Sequence, residues 1–286
     1  MNCYNCGESL SKSTVVAKKN EIRFNCYNSR KQIIKCNNCK LVQLVPQWSE
    51  KELEKIYQGY NQQQDFVGQK VTSKRITPYL ESYIKNKNDY ILEVGCGTGD
   101  NLKILKNKGY RVIGIDKDPS VCDNKIIFNI DYHILEDKDL QYNLPQFIYG
   151  IQLFEHLSDP INFIEKMANL LNKYGTLLLE LPNLEDPLLT LYNIKEFKQF
   201  YYRPDHHFFY TPDTILDMLY RNKVNNSCSI KRIQNYGLVN HLNWLFRKKP
   251  TNLKINIPII DNIYKFILTN ILKKSDTILL IIKKEH

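Results

Sequence analysis

The sequence predicts an α/β fold carrying a small metal-stapled module at its N-terminus. Three observations predict it. Paired cysteines stand at Cys3/Cys6 and Cys36/Cys39, a strand–glycine loop–helix–strand–acid unit spans 90–116, and apolar strands alternate with helical stretches from there towards the C-terminus. The 286 residues are 43% hydrophobic and 24% charged, an ordinary globular mix that rules out wholesale disorder. Net charge is +10, and residues 231–286 alone hold +8, from eleven basic and three acidic side chains. Nucleic acid, an anionic membrane surface or a phosphorylated substrate are all compatible with that bias. The longest apolar run, 278–282, is far short of the ~20 residues that a membrane-spanning helix needs. Residues 1–4 show no basic region followed by an apolar core, so a cytoplasmic, reducing setting is expected.

Cys3-x2-Cys6 and Cys36-x2-Cys39 are 29 residues apart, with Gly7 after the first pair and Lys40 after the second. Two such turns supply four thiolates, a donor set for tetrahedral zinc at ~2.3 Å per Zn–S bond. A polar piece of this size cannot bury enough surface to fold alone, so a metal staple is physically sensible. Four sulfurs leave no open coordination position, which makes the expected zinc structural; Cys26 is a spare. The competing reading is a redox pair of C-x-x-C turns. A nucleic-acid-binding ribbon lacks support, because no basic–aromatic stripe accompanies the cysteines. Short strands are expected at 15–25, 32–35 and 41–45, then a helix from Ser49 with Trp48 before it and Tyr57 and Tyr60 at its end. Gln62-Gln63-Gln64 looks like a boundary. The resulting division is a zinc-ribbon module at 1–47, a helical linker and lid at 48–88, and an α/β domain at 89–286.

After a helix expected over 66–85, the strand 90–94 runs into Gly95-Cys96-Gly97-Thr98-Gly99. A helix over 100–108 follows and is stopped by Gly109, a natural residue after a helix end. The next strand, 111–115, ends in Asp116. Glycines let backbone approach a ligand at the carboxyl end of a strand, and an acid ending the second strand can accept from two ribose hydroxyls. The dinucleotide fingerprint G-x-G-x-x-G is not matched, because only Thr98 separates Gly97 from Gly99. Glu93, two residues before Gly95, would repel a pyrophosphate but suits a ligand carrying an ammonium group. That favours S-adenosylmethionine over NAD.

Glu93-Val94-Gly95-Cys96-Gly97-Thr98-Gly99 resembles motif I of the class I S-adenosylmethionine-dependent methyltransferases, and Asp116 matches that family's ribose-binding acid. The resemblance implies a Rossmann-like sheet with helices on both faces, and cofactor contacts from Glu93, Gly95, Cys96, Gly97, Gly99 and Asp116. It also implies an adenine-contacting acid after the third strand, for which Glu136 ranks ahead of its neighbour Asp137. Downstream, an apolar strand over 147–153 leads into Phe154-Glu155-His156-Leu157 and Asp159-Pro160, then a helix to Leu171. A strand over 175–181 closes with Pro182-Asn183. This run resembles the branch with an E-H-L-x-D-P turn and an E-x-P-N strand end, many of whose members methylate sugars, glycans or envelope metabolites. The double C-x-x-C with Leu41-Val42-Gln43-Leu44 after it is similar to the zinc-binding module fused to sugar methyltransferases. Gln146 stands where relatives carry an acid, and only about 65 residues follow Leu219, fewer than in the larger sugar C-methyltransferases. The expected partner is therefore a small sugar-like molecule. Nucleic acid is disfavoured, since Gln152-Leu153-Phe154-Glu155 is not the [DN]-P-P-[YF] turn of amino-methylating nucleic-acid enzymes.

Two clusters can supply a base for a hydroxyl or carbon acid. One is Glu155-His156 at the end of the fourth strand. The other is Asp205-His206-His207, in a segment resembling the family's lid over the substrate; there Asp205 is expected to orient His206. Tyr201, Tyr202 and Tyr210 are expected to line or cap the pocket, with core packing as the alternative; His133 and His241 receive no role. In the tail, Ile260, Ile263, Tyr264, Ile267, Leu268 and Ile271 recur at helical spacing. Core packing of that face is the expectation, with membrane contact as the alternative. Arg247-Lys248-Lys249 and Lys273-Lys274 are exposed candidates for contact with phosphate or anionic lipid. A strand over 278–283 closes the sheet.

Overall fold

Long apolar runs without alternation are what a strand buried on both faces requires, and the runs from Tyr90 onward make the central sheet. The computed structural model describes residues 1–17, 31–49, 51–53, 55, 76–122, 125–136, 144–224, 227–250 and 258–285. Its larger sheet contains β4 (Tyr90–Val94), β5 (Arg111–Asp116), β6 (Ile127–Asn129), β7 (Phe147–Ile151), β8 (Thr176–Pro182), β10 (Ser227–Ile233) and β11 (Thr277–Lys283). The order is β10-β11-β8-β7-β4-β5-β6. The pairs within β6-β5-β4-β7-β8 are parallel, whereas β11 runs antiparallel to both of its neighbours. This is the mixed seven-stranded sheet that the motif I resemblance implies. The last strand is thus inserted between two others rather than placed at an edge. Ile278, Leu280 and Ile282 are fully buried there, as are Leu177 to Leu179 beside them.

α1, over 76–83, precedes β4; α2 (Asp100–Asn107) follows β4 and α3 (Pro160–Leu170) follows β7. Gly109 takes φ +88° just past α2, the left-handed conformation expected at a helix stop. The strand expected over 147–153 ends earlier, at Ile151. Gln152 takes φ +51° and its N–H donates to Glu180 O at 2.8 Å, which turns the chain into a short 3-10 helix, Phe154–His156.

The second sheet has the order β1-β2-β3-β9, from Thr14–Ala17, Gln32–Lys35, Val42–Val45 and Phe208–Phe209. Its fourth strand comes from the far side of the sequence. Val42 pairs with Phe209 and Gln43 with Phe208, and Leu44 N–H donates to His207 O at 2.9 Å. Tyr4 continues the contact: its hydroxyl donates to Asp159 Oδ1 at 2.5 Å and its ring lies 5.0 Å from Phe208. Asn5 Nδ2 donates to Asp217 Oδ2 at 2.7 Å. The cysteine module is therefore stitched onto the larger domain at α3 and at α5 (Pro212–Arg221). Residues 18–25 of the first expected strand, Cys26, Tyr57, Tyr60, Gln62-Gln63-Gln64 and residues 66–75 of the expected helix lie outside the described residues. Ser49 does begin a helical stretch, with its N–H and hydroxyl both donating to Glu52 Oε2.

The tail helix departs from expectation. In α7 (Pro258–Phe266), continued by a π-helical turn at Ile267–Ile271, the buried residues are Asp261 and Leu268. Ile260, Ile263, Ile267 and Ile271 are exposed, so the apolar face does not pack on the domain. The reason is polar: Asp261 Oδ1 accepts from Leu238 N–H at 2.9 Å and Lys265 Nζ donates to Asn235 O at 2.8 Å, which turns the opposite face inward. Among the described residues, no helix is long and apolar enough to cross a membrane.

Asp159 serves two partners, capping α3 through Asn162 N–H at 3.2 Å and accepting from Tyr4. Asp159→Ala is expected to lower stability by about 1–2 kcal/mol through the lost cap and the stranded Tyr4 hydroxyl, measured by urea unfolding.

Candidate active site

The sheet order places β5 and β6 on one side of β4, with β7 and β8 on the other. Such a switch opens a crevice at the carboxyl end of the central strand, where α/β proteins bind ligands. The glycine loop sits there. Gly95, Gly97 and Gly99 take φ of +67°, +51° and +66°, a region L side chains rarely adopt. A Cβ on Gly95 would stand 2.9 Å from Leu153 Cδ1, whereas one on Gly97 would meet nothing within 4 Å. Gly97 thus presents bare backbone to the crevice. Asp116 braces the loop: Oδ2 accepts from Gly97 N–H at 2.8 Å and Oδ1 from Asp118 N–H at 2.9 Å. Glu93 is buried beneath, where Asn101 Nδ2 donates to Oε1 at 3.1 Å and Tyr149 OH to Oε2 at 2.9 Å. Burial lifts its pKa to about 8, against the pull of those two donors. The Cys96 side chain packs with Leu102, Ile126 and Ile127, so what it offers a ligand is backbone.

Leu153, which touches Gly95, leads within three residues to the second half of the site. Glu155 is buried, and among the described residues neither of its carboxylate oxygens has a hydrogen-bond donor. His156 Nε2 and His206 Nε2 each stand 4.0 Å from Glu155 Oε1. The two imidazoles meet edge to face, with centroids 4.7 Å apart. His206 Nδ1, both ring nitrogens of His207, and the hydroxyls of Tyr201 and Tyr210 are likewise buried without a hydrogen-bond partner among the described residues. Buried polar atoms are rarely left unpaired, and a group of them marks a place built for something other than packing. Tyr201, Tyr202 and Tyr210 are all buried, as the core expectation requires: Tyr201 and Tyr202 pack against Phe209, and Tyr210 against Phe154 and Phe208.

Asp205 does not orient His206. Its backbone carbonyl lies 3.0 Å from His156 Nδ1 and its Oδ2 3.5 Å from the same nitrogen. Arg203 grips it from the other side, Nε to Oδ1 at 3.2 Å and Nη2 to Oδ2 at 3.0 Å. His206, adjacent in sequence, is the expected partner; the turn before β9 sends the carboxylate to His156, in the loop after β7, instead. Burial alone would raise the Asp205 pKa, but the cationic partners around it, with Arg203 in bidentate contact, hold it well below the usual range. Burial pushes His156 and His206 below the ordinary imidazole value, His207 to about 4, and raises Glu155 to about 8.

Two residues escape sequence reasoning. Arg203, two positions before Asp205, carries no motif signal; only the fold closes that pair. Asp131 stands two residues past the end of β6, at the sheet edge next to Asp116 by the Asp116–Asn129 register, and its Oδ1 accepts from His133 N–H at 2.9 Å. Glu136 is exposed seven residues past β6, and Asp137 lies outside the described residues. Asp131 is thus the acid nearer to the strand end and to Asp116. His241 makes local bonds to Gln234 and Tyr264, as a residue without a site role should.

Among known proteins, the methyltransferase domain family matches residues 66–223, more than half of the chain. The chain belongs to that family. The matched region is an S-adenosylmethionine-dependent methyltransferase domain, as its glycine loop and sheet order imply. Ubiquinone biosynthesis O-methyltransferase of Coxiella burnetii is 30% identical over 113 residues, covering 37% of this chain and 48% of that protein. The chain thus spans about half the length of the curated relatives it matches. Two solved structures share the fold: the plantazolicin methyltransferases BpumL and BamL, each with a triazolic desmethyl-plantazolicin analogue and SAH. BpumL has TM-score 0.52 at 14% identity, covering 83% of this chain and 92% of its own. BamL has TM-score 0.52 at 13% identity, covering 82% and 91%.

In the cysteine module, Cys3 Sγ lies 3.4 Å from Cys39 Sγ and Cys6 Sγ 3.7 Å from Cys36 Sγ, and all four sulfurs lie within 4.8 Å of one another. Sulfurs around tetrahedral zinc stand about 3.8 Å apart for ~2.3 Å bonds, so the set fits that ion. The knuckles close through Gly7 N–H to Cys3 O and Lys40 N–H to Cys36 O, with Gly7 and Lys40 both at positive φ. Purified protein is expected to hold near one zinc per chain by metal analysis. Cys36→Ser should open the first ~45 residues to protease, because a module this small depends on its metal. A metal-free native protein resistant to protease contradicts this.

Proposed function

We propose that this protein transfers a methyl group from S-adenosylmethionine to a hydroxyl of a small polar acceptor of the sugar, nucleotide-sugar or envelope-metabolite class. The observation that carries the reading is the group of buried Glu155, His206, His207, Tyr201 and Tyr210 atoms without hydrogen-bond partners among the described residues, Glu155 standing two residues after the Leu153 that packs at Gly95. A polyhydroxyl acceptor supplies donors and acceptors to such a group at many points, which an apolar acceptor cannot.

S-adenosylmethionine, when bound, supplies an electrophilic methyl on a sulfonium. Gly95, Cys96 and Gly97 offer backbone to it, Gly99 sets the loop's exit into α2, and Asp116 accepts from its ribose hydroxyls. Glu93 acts from below by bracing the loop's surroundings, since Asn101 and Tyr149 already donate to its two oxygens and burial lifts its pKa to about 8. Asp131 takes the adenine contact in preference to Glu136, being nearer the strand end. The zinc set of Cys3, Cys6, Cys36 and Cys39 plays a structural part.

His156 is assigned as the base. Its Nδ1 proton points at Asp205 O, which leaves Nε2 with the lone pair and turned towards Glu155 and the crevice. Burial keeps the ring neutral at pH 7, the form that accepts a proton. With the cofactor bound, the acceptor oxygen would take the methyl as the S–CH3 bond breaks and S-adenosylhomocysteine leaves, and His156 Nε2 would take the hydroxyl proton. Glu155, protonated at neutrality, donates a hydrogen bond to the acceptor or to His206. His206 positions rather than abstracts.

Three results are expected. Asp116→Ala should weaken cofactor binding at least tenfold by calorimetry, from the loss of charge-assisted bonds of ~1.5–3 kcal/mol; unchanged affinity removes the ribose assignment. His156→Ala should lower turnover by roughly 10²–10⁴-fold with cofactor affinity unchanged, and more severely than His206→Ala. The reverse order moves the base to His206. The third result concerns pH. Because the active imidazole is neutral and its pKa is depressed, activity should persist above that pKa and fall as pH drops through it, giving an acid limb centred below the ordinary ~6.5. A limb above that value contradicts the assignment.

A further inference from the structure

α7 docks with its polar side. Asp261 is buried against the start of α6 (Leu238–Arg247), Tyr264 OH lies 2.5 Å from His241 Nδ1 and 2.7 Å from Tyr192 OH, and Lys265 donates to Asn235 O. Leu268 is the buried apolar residue of that side. Residues 261, 264, 265 and 268 follow the i, i+3, i+4, i+7 spacing of one helix face. The opposite spacing, i, i+1, i+4, i+7, i+8, belongs to Ile259, Ile260, Ile263, Phe266 and Ile267, between 38% and 75% exposed. Rotating the helix to hide them would break the Asp261, Tyr264 and Lys265 bonds together. Phe246, on α6, is 81% exposed.

Among the described residues of 238–274, the exposed charges are basic. Arg247, Lys248 and Lys249 are exposed at the end of α6, and Lys273 is exposed with Lys274 beyond α7. Of the three acids in residues 231–286, Asp261 and Asp276 are buried. An apolar patch rimmed by cations is the pattern of a helix lying in a lipid interface. A protein partner is the poorer match, since protein interfaces are depleted in lysine. The patch also lies towards the carboxyl edge of the sheet, because β11 starts opposite Pro182 at the end of β8. We infer that the α6–α7 face seats on an anionic bilayer surface, its isoleucines and phenylalanines at the acyl boundary and its basic residues among the headgroups.

The test is flotation of the full chain with vesicles of phosphatidylcholine containing about 30% phosphatidylglycerol, against phosphatidylcholine alone. Wild type is expected to partition at least tenfold more onto the anionic vesicles, less so as salt is raised. Ile263→Asn combined with Phe266→Ser should lower that partition at least tenfold, and Lys273→Gln with Lys274→Gln several-fold, with melting curves and cofactor affinity unchanged. No flotation with anionic vesicles, or equal flotation of wild type and the apolar double variant, overturns the inference. So does a wild-type dimer by light scattering that disperses in the apolar variant, which would assign the face to a second copy of the chain.

Discussion

The antiparallel pairing of Val42–Gln43 with Phe208–Phe209 is the contact on which the site depends. Without it, the segment carrying Asp205, His206 and His207 would be a loop beyond the last helix-to-strand turn. With it, that segment becomes the edge strand of the cysteine module, and Leu44 and Glu155 hold the His207 backbone from opposite sides, N–H to Glu155 O and carbonyl to Leu44 N–H. A two-residue strand has little intrinsic stability, so its order derives from the sheet it joins, and that sheet is closed by the four sulfurs. Cysteine cluster, module and site residues therefore form one mechanical chain. Trp48 adds a tether, its indole N–H donating to Pro204 O just before Asp205.

The cost of this arrangement sits in the crevice. Glu155, His206 and His207 are buried without hydrogen-bond partners, which opposes folding by the desolvation of each group. The protein limits the cost by neutralising them: Glu155 is held protonated and the imidazoles unprotonated at neutrality. Asp205 is the exception, kept ionised by Arg203 and placed where it orders His156. Paired titratable groups pushed apart in this way, carboxyl up and imidazole down, are a common signature of acid–base chemistry.

The tail shows the same logic with the opposite sign. There polar anchors decide which face of a helix meets the body, and apolar area is left in solvent. An isoleucine stripe normally turns inward because burial is worth about 25 cal/mol per Å². Here the Asp261 contact to the α6 N-terminus and the Lys265 and Tyr264 bonds outweigh it.

The sheet, the glycine loop and the cysteine knuckles were readable from residues alone, because each depends on local chemistry. Strand burial needs apolar runs, positive φ needs glycine at 95, 97 and 99, and metal coordination needs cysteines at short spacing. Asp116 at the end of β5 follows from the same unit. What lay out of reach depended on contacts between distant segments. Local order suggested that Asp205 serves His206, whereas the fold gives it to His156 and Arg203. Helical periodicity identified the α7 stripe but carries no sign for inside or outside. The strand that joins the cysteine module to the site pairs residues 42–43 with 208–209, and no pattern within either segment names the other. Short-range conformational preference is written residue by residue; the choice of partner across more than a hundred residues is made by packing, where many weak terms compete and the whole molecule decides.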